Sequence, residues 1–180
     1  RSTHSNAFFA GIGRLRRIIL FDTLVDLLRE KELLSVIAHE MGHSVKKHVR
    51  TSLLLSGLTS LAGLFILSWM LPQPWFCSAF KFASPSSYAA LFVFAKTIGP
   101  LTFLMSPLGT WLSRRHEYQA DRFAVQSIHD CRPMIQSLVR LSSENMSNLT
   151  PHPLYSFFYY SHPTVMERIK ALETMEPVSH

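Results

Sequence analysis

Hydrophobic positions along the chain change period three times, and each change predicts an element. From Glu32 to Val49 the apolar residues Leu33, Leu34, Ile37, Met41 and Val45 recur at helical spacing with no proline to interrupt them. Thr51 to Leu71 then carries no charge and no polar face, at about the length that crosses a ~30 Å hydrocarbon core, and Pro72-Gln-Pro74 closes it. A second apolar stretch, Tyr88 to Ser113, holds Lys96, Pro100 and Pro107, which a membrane helix tolerates where neighbouring groups satisfy the freed carbonyls. Helical periodicity resumes over Leu112 to Ile128 and again over Thr164 to Met175, with Pro163 suited to the first helical position. Ahead of all these, Ser5 to Gly11 and Arg16 to Phe21 read as two strands around a Gly13-Arg14-Leu15 turn. The pattern predicts a mainly α chain in three parts: 1–50 with an edge hairpin and a helix, 51–113 as a two-helix transmembrane hairpin, and 114–180. A hydrophobic hairpin buried in a soluble domain is the competing reading.

Charge gives the hairpin a direction. No acidic residue lies between Glu40 and Glu117, and only Lys81 and Lys96 are basic between Arg50 and Arg114. Lys46, Lys47, Arg50, Arg114 and Arg115 flank the outer ends, so the positive-inside rule puts those ends in the cytoplasm. The net charge of +6 raises a nucleic-acid reading. Its basic residues, however, form no aromatic-interleaved stripe, and their excess suits anionic lipid headgroups instead. Cys77 and Cys131 fall on opposite sides of the expected membrane, too far apart for a disulfide. The aromatic run Leu154 to Tyr160 reads as core packing or an interfacial belt, with a groove for a lipid chain as the rarer use.

The chemistry is concentrated in His39-Glu40-Met41-Gly42-His43. At about 100° per residue the two histidines stand roughly 40° apart and one turn along, so both imidazoles can reach one metal ion, while Glu40 is placed to polarise a metal-bound water. A catalytic zinc takes three protein ligands and keeps one position open. Glu117 and Asp121, again four apart, offer one carboxylate as third ligand and another to receive a hydrogen bond from a ligand imidazole. Ala120 and Ala124 between and beside them would let that helix come close to another. On an unbroken helix His48 lies roughly 140° round from His43, away from the ligands. Such a helix would also carry the metal within ~10–15 Å of the apolar boundary.

These segments together resemble the type 1 CAAX prenyl endopeptidases, integral-membrane zinc proteases. The resemblance runs through Asn6-Ala-Phe-Phe-Ala-Gly11, Arg17 to Leu24, Ala38 to His43, Ser113 to Asp121, Tyr160-Ser-His-Pro163 and Glu167-Arg-Ile169. It implies a multi-pass membrane metalloprotease with a zincin-like catalytic helix pair, of which this chain, opening at Arg1, is the C-terminal catalytic portion. It further implies one zinc per chain on His39, His43 and Glu117, Glu40 as base and Asp121 behind a ligand histidine. His162 would steady the oxyanion with Arg168 in support, and Asn6 would hold substrate backbone on an edge strand. The implied substrate is the C-terminus of a prenylated protein, cut at the cytoplasmic face of the endoplasmic reticulum membrane in contact with lipid. The same chemistry on unlipidated substrates, as in membrane quality-control proteases, and a zinc-free membrane scaffold are the two alternatives.

Overall fold

The computed structural model describes residues 7–10, 17–81, 86–146 and 148–175. Two short strands, β1 (Ala7–Ala10) and β2 (Arg17–Leu20), pair antiparallel with Ala7 opposite Leu20 and Ala10 opposite Arg17. Among the described residues eight helices follow: α1 (Asp22–Leu27), α2 (Glu30–Val45), α3 (His48–Met70), α4 (Pro74–Ala79), α5 (Ser87–Ile128), α6 (Arg132–Glu144), α7 (Pro153–Tyr159) and α8 (Val165–Glu173). The chain is therefore mainly α, as its periodicity predicts. Asn6 and the 11–16 turn lie outside the described residues.

The described residues separate into two units, one formed by the stretches 1–48 and 109–180, the other by 49–108. In the first, Ala38 of α2, Ala124 and Val125 of α5, Met134 and Leu138 of α6 and Leu172 of α8 form one core. Leu24, Leu28 and Val36 make a second cluster beneath Leu20 of β2. A buried charge ties α2 to α6: Glu32, 1% exposed, receives the Arg140 guanidinium at 3.0 Å and the Arg29 backbone N–H at 3.0 Å. Such a pair adds geometry more than energy, because desolvation consumes most of the Coulombic gain.

The second unit holds α3 from Val49 onward and the first part of α5, up to Leu108. α3 and α5 are both long and apolar enough to cross a membrane, and the apolar window of α3 is 0% buried, that of α5 11%. A core helix of a soluble domain would hide such a surface, whereas Leu53, Leu54, Leu58, Leu61, Leu64 and Phe65 all stand exposed. Within this unit Phe76 of α4 packs on Ala90 and Val93 of α5, with Met70 and Leu71 alongside.

The structure departs from sequence expectation at four points. α2 does not run on into α3: it ends at Val45, and Lys47 takes a left-handed conformation (φ 60°) before His48 starts the next helix. The stretches 88–113 and 112–128 are one helix, α5, which carries Pro100 and Pro107 inside it. Pro163 precedes α8 instead of opening it, because Thr164 takes the cap: its hydroxyl accepts from the Glu167 N–H (3.2 Å) and the Glu167 carboxylate from the Thr164 N–H (2.7 Å). The aromatic run is the short helix α7, whose Leu154, Tyr155, Phe157 and Tyr159 are exposed while Ser156 is buried, so it does not serve as core.

One contact governs how closely the motif helix meets its partner. A methyl at Gly42 would stand 3.0 Å from the Ala120 Cα, 3.2 Å from the Ala120 carbonyl oxygen and 3.2 Å from the Phe123 Cβ. Two of those atoms are α5 backbone, which cannot swing aside as a side chain can. Gly42→Ala is expected to lower stability, since overpacking costs about 1–3 kcal/mol and exceeds the ~1 kcal/mol that helical Gly→Ala returns. Thermal denaturation with a parallel measurement of metal affinity checks this; equal values for variant and wild type would show slack between the helices.

Candidate metal centre

Helical spacing on two separate elements builds the centre. α2 presents His39 and His43 one turn apart, and α5 presents Glu117 and Asp121 at the same spacing, with Gly42 facing Ala120 between the two pairs. His39, His43 and Glu117 converge as a group that could hold a metal ion. The two Nε2 atoms are 3.2 Å apart, Glu117 Oε1 is 3.3 Å from His43 Nε2, and Glu117 Oε2 is 3.5 Å from His39 Nε2.

Behind this triangle lies a second layer. Asp121, 1% exposed, accepts the His39 Nδ1–H at 2.9 Å, so that in the neutral ring Nε2 is the atom left for a metal, while in the protonated ring it donates to Glu117. Asp121 is itself held by Arg168, whose Nε donates to Oδ2 at 2.8 Å and whose Nη2 donates to Oδ1 in a bidentate pair. The same guanidinium reaches Glu117 Oε2 with Nη1 at 3.5 Å. Arg168 thus balances two buried carboxylates, which would otherwise repel each other and pay the full cost of desolvation.

His162 arrives from the loop before α8, and its Nδ1 lies 3.1 Å from Glu117 Oε1 with the side chain 64% exposed. Arg114 of α5 secures the chain leading into that loop. Its Nη2 donates to the Ser156 carbonyl (2.7 Å) and hydroxyl (2.6 Å), its Nε donates to the Tyr160 carbonyl (3.3 Å), and Thr110 one turn earlier donates to the Phe157 carbonyl (3.1 Å). The last carbonyls of α7 are thereby satisfied by α5. Arg114, which the sequence offers as a flanking charge and as part of the Ser113 to Asp121 motif, is a structural tie. Its role was hidden because its close partners are two carbonyls and a serine hydroxyl, which form no charge pattern.

Protonation follows the packing. Burial works against a charged His39, but its hydrogen bonds to Asp121 and Glu117 outweigh that and hold its pKa above the ordinary imidazole value. A metal ion and a proton therefore compete for the same Nε2. Burial pushes the Glu40 carboxyl above its usual range against the pull of His39 and His43. The bond to Glu117 raises His162.

Two further residues join the cluster: His48, which helical spacing placed away from the ligands, and Gln119, to which sequence spacing assigns no role. His48 Nδ1 is 3.0 Å from His43 Nδ1, and His48 Nε2 is 2.9 Å from Gln119 Oε1. The 140° computed for His48 assumed an unbroken helix, and the left-handed Lys47 cancels that rotation.

Comparison with known proteins agrees with this architecture. Residues 1–176 match Peptidase family M48, and the chain belongs to that family. It is similar to the "Probable CAAX prenyl protease 1" of Schizosaccharomyces pombe (34% identical, covering 96% of this chain and 36% of the relative) and to the "CAAX prenyl protease 1 homolog" of Arabidopsis thaliana (35%, covering 96% and 41%). It is also similar to the "Uncharacterized metalloprotease YhfN" of Bacillus subtilis (32%, covering 95% and 41%). Its fold matches the crystal structure of S. mikatae Ste24p with a TM-score of 0.79 at 33% identity, covering 96% of this chain and 42% of that one. The chain spans about two fifths of the length of these relatives.

The layered arrangement separates two kinds of substitution. His39→Ala or Glu117→Ala is expected to abolish stoichiometric metal, because two remaining ligands bind weakly. Asp121→Asn should retain metal but bind it about 10- to 100-fold more weakly, the usual cost of disturbing a ligand's partner. Metal content and chelator competition distinguish the two, and wild-type affinity in Asp121→Asn would reduce that carboxylate to a packing role.

Proposed function

We propose that this chain carries the catalytic centre of a zinc metalloendopeptidase that removes the C-terminal tripeptide of prenylated CAAX proteins at the cytoplasmic face of the endoplasmic reticulum membrane. The observation that carries the chemistry is the donor triangle. One ligand atom from each of the three residues lies within 4.8 Å of the others, close enough for one ion to reach all three. The two Nε2 atoms stand 3.2 Å apart, the Glu117 carboxylate sets one oxygen 3.3 Å from His43 and the other 3.5 Å from His39, and two imidazoles with one carboxylate suit zinc. His39, His43 and Glu117 would hold one ion. The prenyl substrate is supported by the names of the relatives, and the lipid setting by two exposed apolar helices.

Bound there, zinc would supply Lewis acidity, polarising the scissile carbonyl and lowering the pKa of a water. Glu40, next to His39 in the chain and partly buried, takes the proton of the attacking water and passes it to the leaving amine; burial raises its pKa, which favours holding that proton in transit. His162, the exposed imidazole of the cluster, donates an N–H to the oxyanion. Arg168 acts one step back, holding Asp121 and balancing Glu117. Asn6 is the proposed backbone anchor for substrate.

A second reading, proteolysis of unlipidated membrane proteins, is supported by the similarity to the metalloprotease YhfN of Bacillus subtilis. A farnesylated CAAX peptide and its unlipidated twin separate the two readings in a cleavage assay on full-length protein. Preferential cleavage of the farnesylated peptide is expected, and equal cleavage favours the second reading. In the same assay Glu40→Gln should keep stoichiometric zinc and lose turnover, since the amide preserves shape but accepts no proton. Near wild-type turnover by that variant would remove Glu40 as the base.

Orientation has its own marker. Asn145-Met-Ser147 and Asn148-Leu-Thr150 fit the N-glycosylation pattern, the second weakened by Pro151. With this segment in the cytoplasm both asparagines stay bare, so glycosidase treatment of full-length protein from eukaryotic cells should not change its mobility. Glycan on Asn145 would invert the topology and remove a cytoplasmic substrate with it.

A further inference from the structure

We propose that His48 and Gln119 form a two-step hydrogen-bond relay that fixes the tautomer of His43 and so bares its Nε2 for the metal. The inference rests on the zinc reading above and concerns how the second ligand is prepared.

The argument is one of donors and acceptors. Two Nδ1 atoms, those of His43 and His48, face each other at 3.0 Å, a distance that demands one proton between them. Geometry at that contact does not say which ring owns it. The other end of His48 does: its Nε2 lies 2.9 Å from the side-chain oxygen of Gln119, and an amide oxygen only accepts. His48 therefore carries its proton on Nε2, its Nδ1 is bare, and the shared proton belongs to His43 Nδ1. His43 Nε2 is left as a lone pair, facing His39 Nε2 at 3.2 Å and Glu117 Oε1 at 3.3 Å. A ligand imidazole needs that form.

The relay is built, not incidental. His48 is buried, and its ring lies flat on His116 with centroids 4.1 Å apart and planes 9° from parallel. α5 thus supplies the stacking ring (His116), the metal ligand (Glu117), the terminal acceptor (Gln119) and the partner of His39 (Asp121) within six residues. Lys47 in its left-handed conformation returns His48 to the ligand side. The two histidine ligands are backed differently. His39 has a carboxylate behind it, whereas His43 has a neutral imidazole and a neutral amide. The same tautomer is imposed twice, but only once with an added negative charge, so the buried cluster gains no third carboxylate to neutralise.

The test is zinc affinity of the full-length protein in detergent, measured by competition with a chromogenic chelator, with metal-free melting as a control for folding. His48→Leu removes the acceptor and should weaken zinc about 10- to 100-fold. His48→Gln restores a carbonyl acceptor and should recover most of that loss. Gln119→Glu offers only acceptors and should bind zinc within a few-fold of wild type. Gln119→Met keeps length and packing without the acceptor and should weaken zinc by several-fold, which carries the test should His48→Leu fail to fold. In cobalt-substituted protein the shifted exchangeable Nδ1–H resonance of His43 should be present in wild type and Gln119→Glu and lost in His48→Leu. Unchanged affinity in His48→Leu, or in Gln119→Met, overturns the relay, as does equal weakening in His48→Gln and His48→Leu with melting intact, which would reduce the ring to packing. Wild-type protein that binds no zinc overturns the zinc reading itself, so the two failures are distinct.

Discussion

Everything at the centre depends on how near α2 comes to α5 where Gly42 meets Ala120. The His39 and Asp121 side chains are short and must span the space between two helix axes to meet at 2.9 Å. Residues without bulk at the contact make that reach possible, as Gly42 brings nothing beyond its backbone and Ala120 and Ala124 are fully buried. An added methyl would lie against backbone, and the helices would part. Hydrogen-bond energies fall steeply over a few tenths of an ångström, so spacing set by glycine is also spacing that sets tautomers.

Within that distance the charges are arranged to cancel. Glu117 and Asp121 are buried carboxylates on successive turns of one helix, a repulsive arrangement in isolation. Arg168 reaches both from α8, and His162 caps Glu117 from the exposed side. The element that carries this compensation is fixed by a local device, the capping box of Thr164 and Glu167, which sets where α8 starts and therefore where Arg168 points. The C-terminal segment is thus part of the site even though no ligand to metal lies on it.

The residues of the cluster were legible because their information is local. His39, His43, Glu117 and Asp121 are paired by helical period, and period is visible in a string of letters. The apolar lengths of 51–71 and 88–113 were legible for the same reason. What escaped depends on dihedral angles or on backbone partners. The positive φ at Lys47 turned His48 from a bystander into a neighbour of His43, and no residue type at that position announces it. The cap at Thr164 displaced Pro163 from the helix because a hydroxyl with a glutamate three residues on outcompetes a proline's preference. Arg114 binds carbonyls, Gln119 binds a ring nitrogen, and neither forms a charge pattern. The assignments of Asn6, His162 and Arg168 came from family resemblance; the structure locates the last two beside Glu117, while Asn6 lies outside the described residues.

The hydrogen bond from His39 to Asp121 joins residues 82 apart in the chain, and the one from Arg168 to Asp121 closes a further 47. Between the first pair lie both long apolar helices. During synthesis His39 and His43 emerge long before Glu117, Asp121 and Arg168 exist to meet them. Loops of this size form slowly, because chain entropy must be lost before a contact returns anything. The centre therefore comes together late, after both apolar helices have been made and α8 has docked.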